Sequence, residues 1–310
     1  MICAKESRGI IGLFKYFPAK MYETMGRVQL GLLTKTEEIR IGAGKPMILY
    51  SDGKCVYITA DGKVTDNIKD AVRTSASELN EIFRLLCDGS VYAMEEEIKN
   101  GYITVEGGHR VGLCGSGVIS DGKILAIKDI SYINIRVAHE VIGAADPIID
   151  EVVDGRLRST LIVSPPGCGK TTMLRDICRI LGDSRMLDCR VGVADERGEI
   201  AAMYMGVPQN NVGARTCVID GCPKDKAMEM LLRTMGVDVV ITDEIGGEAD
   251  ERAIRSLLNS GVCVIASAHG KDLNDIKIRE HTKELIGRGG FENIIVLEKK
   301  RVKEMIRLDA

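Results

Sequence analysis

The chain has 310 residues, 45% of them hydrophobic and 28% charged, the profile of a soluble globular protein long enough for two domains. Four Phe and no Trp leave little for a surface that stacks unpaired bases, and a formal net charge of -3 gives no global positive field toward DNA or an anionic membrane. Neither a signal peptide nor a membrane span is expected, because the apolar stretch Ile10 to Phe14 is short and Lys15 follows at once.

The N-terminal stretch carries Lys5, Arg8, Lys15, Lys20 and Arg27 against Glu6 and Glu23, read as a solvated face. Residues 36–72 alternate apolar runs with Asp52-Gly53 and Asp61-Gly62, the turn chemistry of an antiparallel meander. Ser75 and Glu78 form a capping-box pattern ahead of Leu79, Ile82, Phe83, Leu85 and Leu86, which predicts a helix over 76–87. A second helix is predicted over Val91–Lys99. Strands follow at 103–105, 111–114, 118–119 and 133–137, with Asp121-Gly122 as a hairpin turn. The first half is therefore a smaller α+β domain, 1–150, and its boundary falls near Asp146-Pro147. Ten scattered Cys, none in a C-x-x-C pair, point to a reducing compartment. His109, His139, His269 and His281 lack metal-ligand spacing, so no structural zinc is expected.

After residue 150 the rhythm changes. Apolar strands at 160–163, 191–194, 238–242, 262–266 and 293–297 alternate with helical segments, the pattern of a parallel sheet whose ligands gather at the strands' carboxyl ends. The strand at 160–163 leads into Ser164-Pro165-Pro166-Gly167-Cys168-Gly169-Lys170-Thr171-Thr172, which matches the P-loop pattern G-x-x-x-x-G-K-[ST] except for Ser164 at its first position. Gly167 and Gly169 allow the tight turn that cradles phosphates, Lys170 reaches the outer phosphates, and Thr171 offers its hydroxyl to Mg²⁺. A helix over 171–181 adds its positive end. A lysine there opposes the helix dipole unless an anion is present.

Val239 to Thr242 runs into Asp243-Glu244, the form of a Walker B segment. Asp243 is assigned to the Mg²⁺ shell and Glu244 to the attacking water. Asp195, Glu196 and Glu199 follow another apolar strand as a second acidic cluster that positions water or Mg²⁺. The general base is open between Glu244 and Glu196, with Glu244 favoured. Ser267-Ala268-His269-Gly270 is a polar cluster at a strand end, suited to sensing the γ-phosphate. Arg215 and Arg233 are candidates for an arginine acting in trans on the transferring phosphoryl group. No N-K-x-D signature is present, which favours ATP over GTP. The rival reading is a RecA-like ATPase that binds single-stranded nucleic acid, with contacts from the basic termini, including Lys299, Lys300, Arg301, Lys303 and Arg307. A nucleotide-dependent scaffold with vestigial catalysis is a third.

The run from Leu231 to Gly246, followed by Ala266-Ser267-Ala268-His269, resembles the RecA-like motor domain of type II and type IV secretion ATPases. Asp195-Glu196-Arg197-Gly198-Glu199 is similar to their acidic box, and His269 falls at their histidine box. Pro165 to Thr172, Asp220-Gly221-Cys222-Pro223-Lys224 and Gly107-Gly108-His109-Arg110-Val111-Gly112-Leu113 look like the sporulation stage III AA family within that superfamily. The departures are Ser164 and Gly270, where secretion ATPases usually carry Gly and Thr. The resemblance implies a C-terminal RecA-like P-loop domain with a mostly parallel sheet over 151–310. It also implies a hexameric, Mg²⁺-dependent ATPase in the cytoplasm of the mother cell. Such a motor would dock on a transenvelope channel to the forespore, its N-terminal domain serving assembly and partner contacts.

Overall fold

The computed structural model describes residues 9–87, 94–99, 101–120, 122–184, 187–287 and 289–308. The chain divides into two compact units between Glu140 and Val141. Lys5, Glu6 and Arg8 of the N-terminal basic stretch lie outside the described residues, as do Val91, Tyr92 and Ala93 of the second predicted helix and Asp121 of the hairpin turn.

The first unit opens with a 3₁₀ turn (Leu13–Tyr16) and the short helices α1 (Ala19–Gly26) and α2 (Leu30–Leu33). They lead into strands β1 (Thr36–Gly42), β2 (Ile48–Ser51), β3 (Lys54–Ile58) and β4 (Val64–Thr65). Helices α3 (Ala76–Leu86) and α4 (Glu95–Lys99) precede β5 (Tyr102–Val105), β6 (His109–Ser120) and β7 (Lys123–Arg136). The strands form one antiparallel sheet in the order β4-β3-β2-β1-β7-β6-β5. Alternate residues of it, among them Ile39, Ile41, Val111, Ile133 and Ile135, are fully buried, as period-two patterning requires. Leu79, Ile82 and Leu86 of α3 join that core. Ser75 caps α3 by accepting from the Glu78 amide at 3.2 Å while the Glu78 carboxylate accepts from the Ser75 amide at 2.8 Å.

His109 of the Gly-Gly-His-Arg segment is fully buried in this unit. Its Nδ1 accepts the Ala138 amide at 3.0 Å and its Nε2 lies 3.1 Å from the Gly9 carbonyl, so the neutral ring with the proton on Nε2 satisfies both. Burial pushes the imidazole down to about 4, from 6.5. The folded form thus resists protonation while the unfolded chain accepts it, so stability is complete above pH 6.5 and is lost as pH falls toward 4. The full loss is about 3 kcal/mol. Denaturant unfolding followed by circular dichroism at pH 7.5, 5.5 and 4.5 should show this slope. The slope should shrink in His109→Gln, and equal slopes in the two proteins would refute the assignment.

The second unit begins with α5 (Ile149–Val152) and β8 (Thr160–Ser164), followed by α6 (Lys170–Asp183), β9 (Val191–Asp195) and the small hairpin β10 (Met203–Tyr204) and β11 (Val207–Pro208). Then come β12 (Thr216–Asp220), α7 (Lys224–Met230), a π-helical turn Leu231–Met235, β13 (Val239–Thr242) and α8 (Glu248–Asn259). The unit ends with β14 (Cys263–His269), α9 (Leu273–Ile278), α10 (Glu280–Gly287), β15 (Asn293–Glu298) and β16 (Arg301–Arg307). The sheet order is β12-β9-β13-β14-β8-β15-β16, parallel throughout except for β16. This is the α/β architecture with a mostly parallel sheet expected of the C-terminal half, and the compact unit that carries it begins at Val141, ahead of the boundary expected near 150.

Successive residues of the central strands go to opposite faces. Ile162, Val193, Ile241 and Ile265 pack with Leu174, Ile177 and Leu181 of α6, whereas Leu161, Val163, Val240 and Val264 pack with Met228 of α7 and Ile254 and Leu257 of α8. Ala145, Ile148 and Val152, on either side of the boundary expected near 150, all join the core on the α6 face. Among the described residues no helix is long and apolar enough to cross a membrane.

Candidate active site

Parallel register brings four strand ends to one edge. His269 lies opposite Ser164 and Thr242 lies opposite both Ala266 and Ala194, so the residues that follow converge there. The loop from Pro165 to Gly169 joins β8 to α6, with Gly167 at φ 74° and Gly169 at φ 93°, left-handed values that favour glycine. The helix begins at Lys170, so its positive end opens onto the loop. Lys170 is only 5% exposed. Its Nζ donates to the main-chain oxygens of Ser164 and Pro165 at 3.1 and 3.3 Å, and lies 3.4 Å from the Ser164 hydroxyl and 3.2 Å from His269 Nδ1. Burial holds this ammonium below the ordinary lysine range, while Asp243 and Glu244 act in the other direction.

A buried cation at the positive end of a helix is unfavourable on both counts, and a polyphosphate resolves both. Beside it, Thr171 Oγ1 donates to Asp243 Oδ2 at 2.5 Å, and Ser267 Oγ donates to Asp243 Oδ1. A hydroxyl and a carboxylate in contact are the hard oxygen donors that suit Mg²⁺. The residues present fit a nucleotide triphosphate with its metal.

Strand β14 separates β8 from β13, and its end fills the gap between them. His269 Nε2 lies 2.7 Å from Glu244 Oε1, so one imidazole links the P-loop lysine to the acidic strand tip. Arg197 binds the other Glu244 oxygen at 2.6 Å. Glu244 sits at φ 53°, a left-handed conformation that costs a non-glycine residue about 1 kcal/mol or more. Its amide donates to Asp243 Oδ1 and Ser267 Oγ, both at 3.0 Å. Gly270 follows His269 because there is no room for threonine there: a Cβ would lie 2.9 Å from Ile276 and 3.1 Å from Val163.

The second acidic cluster divides. Asp195 is buried and accepts from the amides of Glu199, Ile200 and Ala201 at 2.8 to 3.2 Å, which folds the loop after β9. Glu196 faces the cleft that Asp243 and Glu244 also line, with its carboxylate 3.6 Å from Lys224 Nζ.

Arg215 is not at the strand-end edge. It donates to the carbonyls of Leu181, Ser184 and Leu187, and so satisfies acceptors at the far end of α6. Those bonds tie its guanidinium to its own chain. Arg233 is exposed in the π-helical turn before β13 begins. Two contributors went unassigned in the sequence: Arg197, which reads as a solvated loop residue, and Lys224. The signal for Lys224 was its place as first residue of a helix, where a cation is unfavourable.

A family model described as sporulation stage III, protein AA matches residues 15–307. The stage III sporulation protein AA of Bacillus subtilis (strain 168) is 35% identical over 92% of this chain and 89% of its own. Among solved structures, the pilus retraction motor PilT with bound ADP superposes with a TM-score of 0.56 at 15% identity, over 84% of this chain and 74% of its own. The Legionella pneumophila ATPase DotB gives 0.54 at 15% identity, over 84% of this chain and 72% of its own. At such identities these two show a shared fold. The chain belongs to the sporulation stage III protein AA family.

Proposed function

We propose that this chain binds ATP with Mg²⁺ and hydrolyses it to ADP and phosphate. One observation carries the reading: the hydroxyl of Thr171, next to the P-loop lysine, touches the Walker B carboxylate of Asp243. Residues Ser164 to Thr172 bind the phosphates, with Lys170 neutralising the outer ones, and Thr171 and Asp243 hold the metal. Mg²⁺, when bound, draws charge from the phosphate oxygens. Glu244 orients the attacking water and takes its proton at a carboxylate oxygen, while Ser267 fixes Asp243 and His269 reports between Lys170 and Glu244. Arg233 is a candidate for an arginine acting in trans.

Family membership and the fold shared with secretion motors support the wider reading. In it the chain works as a hexameric ring on the cytoplasmic, mother-cell side and powers or assembles a transenvelope channel to the forespore, with its N-terminal domain contacting partners. The purified chain should release phosphate from ATP with Mg²⁺ and not with EDTA, and faster from ATP than from GTP. The reading fails if no Mg²⁺-dependent release occurs at any protein concentration that permits assembly.

A further inference from the structure

We infer that Lys224 is a positioning residue that holds Glu244 in its working orientation through the main chain; this rests on the proposed hydrolysis. Lys224 is the first residue of α7, follows Pro223, and its side chain is 13% exposed. Its Nζ donates to the main-chain oxygens of Asp243 at 2.9 Å and Glu244 at 2.7 Å, and lies 3.6 Å from Glu196 Oε2. Those two carbonyls flank the Glu244 Cα, whose φ of 53° places it in a region that non-glycine residues leave readily. Fixing the peptide on each side of one residue fixes its φ and ψ, and therefore the direction of its Cα–Cβ bond.

An ammonium suits this task. It carries three donors, enough for both carbonyls and the Glu196 carboxylate, and needs no planar match. The location is costly for a cation in isolation, because the N-terminus of a helix repels it and burial removes its water. Two carbonyl oxygens and one carboxylate offset that cost. The other contacts of Glu244, from Asp243, Ser267, Arg197 and His269, act on its amide and its carboxylate, and the following amide, of Ile245, donates to the Ser267 main-chain oxygen at 2.8 Å; among the described residues Lys224 is the side chain that holds the two carbonyl oxygens themselves. Glu196 then acts on the reaction through Lys224, and the segment Asp220 to Lys224 gains a purpose that nucleotide contact does not supply.

The test compares Lys224→Met, which keeps the length and removes the donors, with Lys224→Arg, which keeps donors and charge. In Lys224→Met, kcat should fall about a hundredfold, the scale expected for a misplaced catalytic group, with KM for ATP and binding of a fluorescent ATP analogue changed less than about threefold. Lys224→Arg should recover part of the rate. In a Glu244→Ala background, Lys224→Met should cause no further loss, because the group it positions is gone. An additive loss there, or equal falls in rate and nucleotide binding, would mean a structural role and overturn the inference. So would a wild-type kcat in Lys224→Met. If that variant melts below the assay temperature, Lys224→Gln is judged by the same criteria. Inactivity of the unmodified chain would instead defeat the proposed hydrolysis itself.

Discussion

Lys170→Ala should lose ATP turnover by a factor of about 1,000 and at the same time melt at a higher temperature than the parent when no nucleotide is present. The two halves of this expectation come from the same geometry. In the free protein, the ammonium is 5% exposed at the positive end of α6, and its acceptors are two main-chain oxygens, a hydroxyl and an imidazole. No carboxylate pairs with it among the described residues. Alanine removes a desolvated charge that the helix dipole opposes, and alanine is also the best helix former. Once ATP is present the balance inverts, because the lysine is then the charge that the phosphates require. The parent should gain thermal stability with Mg²⁺ and ATP, and Lys170→Ala should gain none. Thermal melts with and without nucleotide, beside phosphate-release rates, check both halves. A variant that melts lower without nucleotide would show that Lys170 serves the fold, and unchanged turnover would remove it from the chemistry.

What the sequence revealed and what it hid follow a physical division. Strands β8, β9, β13, β14 and β15 were legible because strands buried on both faces become short, continuous apolar runs, and the first four end in the residues that register then aligns. Helix α3 was legible from its capping box. The edge strands β12 and β16 were not. Residues of β12 are half-buried, and β16 carries Arg301, Lys303, Glu304 and Arg307 among its apolar residues, so neither shows a core signature. In the site, Lys170, Thr171, Asp243 and Glu244 could be assigned from local spacing. Arg215 could not, because its acceptors lie at 181 to 187, a tertiary relation that a glycine-containing loop does not announce. The same holds for the approach of Arg197 to Glu244 and of Lys224 to the carbonyls after β13, which the sheet order creates.

Glu244→Gln should bind ATP as well as the parent and hydrolyse it at least about 100-fold more slowly, leaving a nucleotide-loaded assembly that persists through size-exclusion chromatography. Glutamine keeps the volume and one acceptor oxygen, so Arg197 at 2.6 Å retains a partner and the left-handed backbone at φ 53° is undisturbed. What disappears is a group able to take a proton. Lys170, Thr171 and Asp243 are untouched, which is why affinity should survive. Glu196 provides the internal control: its side chain is 43% exposed and its contact is with Lys224, 3.6 Å away, so Glu196→Gln should lower the rate by only about tenfold. The comparison settles the choice between the two carboxylates. If Glu196→Gln stops turnover while Glu244→Gln leaves it intact, the base is the residue beyond β9, and the contact of Glu244 with His269 at 2.7 Å would then hold the resting site closed instead of preparing it to react.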